Sequence, residues 1–99
     1  MAGRKIEVAI LIGSESDRET ASRAASVLER LGVVYEVRVL SAHRTPEELE
    51  KYLEECDAGV FIGVAGLSAH LPGFIASRTR KPVIGVPKSV KLGGLDALL

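Results

Sequence analysis

The sequence has no tryptophan, one methionine and one cysteine, and only two histidines among its 99 residues. A lone cysteine, Cys56, excludes an internal disulfide. Behind Met1–Lys5 the only apolar stretch is the short Val8–Ile12, so no signal peptide is expected, and with Cys56 unpaired the expected compartment is a reducing cytoplasm. Two histidines and one cysteine lack the spacing of a zinc set, so neither metal nor cofactor is expected. No apolar run approaches the ~20 residues of a membrane helix, because Lys, Arg, Glu or Gly interrupts each one, so no membrane partner is expected. Charge of one sign is also missing. Thirteen Lys+Arg balance 13 Asp+Glu, which argues against a nucleic-acid binder. The 46% hydrophobic content exceeds what a disordered chain carries, and the length suits one domain, residues 1–99.

Apolar runs alternate with amphipathic ones. Ile6–Ile12 is β-branched, ends at Gly13 and reads as a strand buried on both faces. Ser16 with Glu19 has capping-box spacing and predicts a helix start. On that helix Ala21, Ala24, Ala25, Leu28 and Leu31 share a face, and Gly32 is the expected stop. Tyr35–Leu40 alternates and predicts a strand with one wetter face. Thr45 as N-cap, Pro46 at the first helical position and Glu48 closing the box predict a helix to about Glu55. Ala58–Val64 is a third strand, Ala69–Thr79 a short helix with Pro72 in its first turn, and Pro82–Val86 a fourth strand. Leu95–Leu99 reads as the start of another helix. Four strands alternating with helices predict a three-layer α/β/α domain with a parallel, flavodoxin-like sheet of order 2-1-3-4. Ligands of such sheets bind beyond the strands' carboxyl ends, which singles out loops 13–17, 41–45, 65–70 and 87–94.

The first loop, Gly13-Ser14-Glu15-Ser16-Asp17, sets two hydroxyls and carboxylates at a helix start, an arrangement suited to phosphate and ribose and equally to plain helix capping. It matches neither a dinucleotide fingerprint nor a Walker loop. In the second, Ser41-Ala42-His43-Arg44-Thr45, Arg44 can fork onto a phosphate and His43 can take and give a proton; a surface His beside a solvated Arg is the plainer reading. The third holds Gly63, Gly66, Ser68 and His70, small residues that let a ligand approach the backbone, with His70 either structural or functional. Cys56 ends a helix and reads as a small half-buried side chain. Residues 58–95 carry five bases and no acid, an anion funnel, a subunit face or a solvated edge.

Together Gly-Ser-Glu-Ser-Asp at 13–17, Ser-Ala-His-Arg-Thr-Pro at 41–46, Ala-His-Leu-Pro-Gly at 69–73 and Pro-Val-Ile-Gly-Val-Pro at 82–87 resemble, in order, the N5-carboxyaminoimidazole ribonucleotide mutases and aminoimidazole ribonucleotide carboxylases of purine biosynthesis (PurE). The resemblance runs from Ile6 to Leu99 and is strongest to archaeal members. It implies carboxyl transfer from N5-carboxyaminoimidazole ribonucleotide to C4 of the imidazole through carbon dioxide, with His43 as acid and base. It implies that Ser14 and Arg44 face phosphate and Asp17 the ribose, with Ser41 beside them. It assigns Gly66, Ser68 and His70 to the loop that closes over the carboxylate, and it implies a homo-oligomer, an octamer. Val64 and Leu67 stand where many bacterial members have an uninterrupted Gly/Ala-rich loop. Family members continue past the Leu99 equivalent with another strand and helices, so a chain lacking those elements and an uncovered fourth strand are expected. Two further activities stay open: direct carboxylation by carbon dioxide, and a ribonucleotide-binding module that depends on a partner for catalysis.

Overall fold

The computed structural model describes residues 5–65 and 70–87. Four strands, β1 (Val8–Ile12), β2 (Tyr35–Val39), β3 (Val60–Ala65) and β4 (Val83–Pro87), form one parallel sheet of order β2-β1-β3-β4. Helices α1 (Arg18–Arg30), α2 (Pro46–Glu55) and α3 (His70–Arg78) connect them. The expected fold class and strand order are therefore those of the molecule, with element ends differing by one or two residues. The predicted start of a helix at Leu95–Leu99 lies outside the described residues.

Side-chain alternation along the strands divides the core into two layers. Ala9, Leu11 and Phe61 point to one face and pack with Leu49 and Leu53 of α2 and Leu71 and Ile75 of α3. Ile10, Ile12 and Val64 point to the other, where Ala21 and Ala25 of α1 cover them together with Tyr35, Val37 and Val39. β1 is central and wholly buried from Ala9 to Ile12, which is why its sequence is a continuous apolar run. The wetter face of β2 carries Glu36, whose carboxylate accepts from the Tyr52 hydroxyl, and Arg38, whose guanidinium lies 4.9 Å from the centre of the Tyr52 ring.

Helix ends show where local signals hold and where they yield. Gly32 stops α1 as expected: it adopts φ +73°, its N–H donates to the Glu29 carbonyl (3.1 Å) and that of Val33 to Leu28 (3.0 Å). This Schellman closure needs a left-handed residue. Leu31, in contrast, does not join the buried face. It is 70% exposed, for the helix ends one residue earlier, at Arg30, and Leu31 is its C-cap. Neither predicted capping box forms. A 3-10 turn over Glu15–Asp17 precedes α1, Ser14 caps that turn by accepting from the Ser16 N–H (3.3 Å), and Asp17, the residue before α1, makes no side-chain capping bond. Thr45 does precede α2, with Pro46 at its first position, yet its hydroxyl turns back to Ser41.

Gly63 of β3 lies opposite Gly85 of β4, and Pro72 of α3 rides over both. The two missing side chains let α3 approach the sheet closely. β4 is an edge of the described sheet, with Ile84 51% exposed.

Candidate functional site

The parallel topology brings the carboxyl ends of β1 and β2 side by side, with Ile12 in register with Val39. The loops that follow, 13–17 and 41–45, therefore meet. Arg44 Nη2 donates to the Gly13 carbonyl at 2.7 Å across a sequence separation of 31 residues. This single bond ties the second loop to the first and uses one of the five guanidinium N–H donors.

The 41–45 loop is built around Ser41. Its hydroxyl accepts from the backbone N–H groups of His43 (3.2 Å) and Arg44 (3.0 Å). Its own N–H donates to the Thr45 hydroxyl (2.9 Å), and its carbonyl accepts from the Thr45 N–H (3.0 Å). Ser and Thr at this spacing satisfy the turn's polar groups internally, which fixes the backbone that carries His43 and Arg44. That arrangement gives Ser41 a structural role. On the first loop the Ser14 and Ser16 hydroxyls lie 2.6 Å apart. Asp17 is only 8% exposed, a buried carboxylate at the base of the loop.

Between the loops lies an open cavity of about 430 Å³, lined by Gly13, Ser14, Glu15, Val39, Ser41, Arg44 and Thr45. Its size falls within the ~300–1,000 Å³ of small-molecule sites. Of the residues singled out in the sequence, the structure places Ser14, Ser41 and Arg44 around this cavity. Asp17 and His43 stand on the same two loops but not in the lining, and the His43 side chain is exposed. His70 opens α3 beyond the carboxyl end of β3, while Gly66 and Ser68 lie outside the described residues. Glu15 and Thr45 are lining residues that motif reading did not assign to the ligand. Glu15 is held by Arg18 in a two-pronged contact, Nε to Oε1 at 2.7 Å and Nη2 to Oε2 at 3.0 Å. Hydrogen bonding to Arg18 lowers the Glu15 carboxyl below its ordinary pKa, and the same bond raises that of Arg18. The spacing of three between Glu15 and Arg18 was the available signal.

Among the described residues no group of three His, Cys, Asp or Glu side chains could hold a metal ion, and no helix is long and apolar enough to cross a membrane. A parallel α/β/α sheet with a hydroxyl-lined cavity at the carboxyl ends of β1 and β2 defines an α/β domain of the open-sheet class, whose ligands bind beyond the strand ends.

Sequence comparison narrows the class. The family model described as AIR carboxylase matches residues 7–99, and the chain belongs to that family. It is 56% identical over 92 residues to the N5-carboxyaminoimidazole ribonucleotide mutase of Methanocaldococcus jannaschii, covering 93% of this chain and 59% of that protein. The protein of the same name from Pyrococcus horikoshii is 52% identical over 103 residues, covering 100% of this chain and 58% of that one. The crystal structure of Treponema denticola PurE superposes with a TM-score of 0.79 at 34% identity, covering 90% of this chain and 60% of that one. The chain thus spans less than two thirds of the length of these relatives.

Proposed function

We propose that this chain takes part in purine biosynthesis as an N5-carboxyaminoimidazole ribonucleotide mutase, an isomerase without a cofactor, acting in the cytoplasm as a homo-oligomer. The observation that carries the reading is the junction of Ser14 and Glu15 with Ser41, Arg44 and Thr45 around one cavity, tied by the bond from Arg44 to Gly13. Arg44 and Ser14 bind the 5′-phosphate, and Asp17 takes the ribose hydroxyls. The carbamate C–N bond of the substrate breaks, releasing carbon dioxide within the pocket, and protonated His43 gives its proton to the exocyclic nitrogen. C4 of the imidazole then attacks the carbon dioxide. The neutral ring of His43 removes the C4 proton, which leaves 4-carboxyaminoimidazole ribonucleotide and returns His43 to its starting state. One proton moves and no electrons are exchanged with a third group. Gly66, Ser68 and His70 supply the loop that holds the carboxylate.

A second reading is a ribonucleotide-binding module whose catalysis needs a further chain. It is favoured by the exposed position of His43, outside the lining of the cavity. The test is turnover of 4-carboxyaminoimidazole ribonucleotide, followed by absorbance, for the 99-residue chain and for His43→Ala. Loss of turnover by about 10²-fold or more in the variant, with nucleotide binding retained, is the expected result. Equal turnover in both chains would refute the proton-transfer role. Binding without turnover in either would select the module.

A further inference from the structure

We propose that Arg18 is a positioning residue for the anionic ligand of this cavity, acting through Glu15 and never touching the ligand itself. The inference rests on the reading of the cavity as a phosphorylated-ribose site. Glu15 is the one carboxylate in the described lining, on the loop that faces Arg44 across the cavity. Left to itself, that carboxylate would work against an anion in two ways. It would repel the ligand's phosphate at a range well inside the ~8–10 Å Debye length of physiological salt. It would also compete for Arg44, whose guanidinium is the cation of the cavity.

The structure resolves both by geometry. Arg18 sits three residues along, at the start of α1, and grips both carboxylate oxygens of Glu15 at once. A two-pronged arginine contact fixes the plane of the carboxylate as well as its position. Among the described residues Arg44 makes no ion pair; its Nη2 goes to a neutral carbonyl, that of Gly13. Glu15 is therefore spent on Arg18, and the cavity keeps a cation that no carboxylate of the described residues pairs with. Both side chains of the pair are substantially solvent-exposed, at 49% for Arg18 and 72% for Glu15, so its contribution to fold stability is small. Its effect falls on the charge that the ligand meets.

The experiment is calorimetric titration of ribose 5-phosphate into the full 99-residue chain, at low and at moderate salt, for the parent, Arg18→Ala, Arg18→Lys, and the double variant Glu15→Gln with Arg18→Ala. Expected for Arg18→Ala is a Kd about 3- to 10-fold higher at low salt, the loss shrinking as salt rises. Arg18→Lys should keep most of the parent's affinity, because it retains the charge. The double variant should return to within about twofold of the parent, since deleting the carboxylate removes the need to compensate it. Parent-like binding by Arg18→Ala would overturn the proposal. So would a double variant as weak as Arg18→Ala, since the fork would then merely shape the turn. A parent chain that does not bind ribose 5-phosphate would refute the reading of the cavity itself, and this inference with it.

Discussion

A methyl group added at Gly63 tests how α3 is held against the sheet. An alanine Cβ there would lie 3.1 Å from Pro72 Cγ, 3.2 Å from Ile75 Cδ1 and 3.3 Å from Pro72 Cα. All three distances are shorter than ordinary contact, and two belong to Pro72, whose ring and backbone cannot rotate away. Gly63 itself is buried in β3, with Leu11 of β1 and Gly85 of β4 on either side, so the strand has no room to recede. Overpacking of this kind costs about 1–3 kcal/mol. Replacing glycine in a strand returns about 0.5–1 kcal/mol through a less flexible unfolded chain. The net expectation for Gly63→Ala is a loss of about 1–2 kcal/mol, or roughly 4–16 °C in Tm for a domain of this size. Gly85→Ala is the control. Its Cβ would meet Pro72 Cβ at 3.4 Å and Cγ at 3.5 Å, ordinary contacts, so it should be neutral or slightly stabilising. Urea unfolding followed by circular dichroism reads both, with an unchanged m-value showing that the effect is on stability. A Gly63→Ala chain as stable as the parent, or a Gly85→Ala chain that loses as much, would refute the argument that Pro72 sets the spacing between helix and sheet.

Gly32→Ala should cost about 1 kcal/mol, because φ +73° places a Cβ against the following carbonyl; a thermal melt equal to the parent's would contradict this. Tyr52→Phe removes a half-buried hydroxyl that donates to Glu36 and accepts from the Cys56 thiol (3.4 Å), and should lower stability by about 1–2 kcal/mol in urea unfolding at neutral pH. Burial first, then the hydrogen bonds to Cys56 and Glu36, raise the Tyr52 phenol far above its ordinary value of 10.0. The unfolded chain therefore loses this proton near pH 10 while the folded chain keeps it, so the stability it contributes is full below pH ~10 and falls as pH rises further. The urea midpoint should decline above that pH in the parent and decline less steeply in Tyr52→Phe; parallel slopes would rule out Tyr52 as the source. Phe61→Ala, at a fully buried site where β3 faces the α2–α3 layer, should cost about 3–5 kcal/mol, and a chain that melts within a few degrees of the parent would count against Phe61 as a core anchor.

Much of this architecture was legible because the signals are local and strong. A β-branched run closed by Gly13, the left-handed stop at Gly32 and a proline at the first position of α2 each act through the backbone of the residue itself, so neighbours in space have little power to override them. Crossover handedness then leaves few strand orders for four strands and their helices, and the observed β2-β1-β3-β4 is the one expected. The side-chain caps were misread for the complementary reason. A hydroxyl chooses among several donors and acceptors of similar worth. Ser14 rather than Ser16 caps the first turn, and Thr45 turns to Ser41 instead of closing a box with Glu48.

The site divides along the same line. Sequence alone determined that Ser14, Asp17, Ser41, His43 and Arg44 share one edge, since they occur in two loops that follow neighbouring strands of a parallel sheet. Tertiary structure alone decided how those residues are used. Arg44 reaches the Gly13 carbonyl, Ser41 becomes the frame of its own loop, Glu15 enters the lining of the cavity, and His43 stands outside it. Periodicity and motif spacing act over a few residues along the chain. Which donor finds which acceptor across 31 residues is settled only when β1 and β2 have paired and brought the two loops within hydrogen-bonding distance.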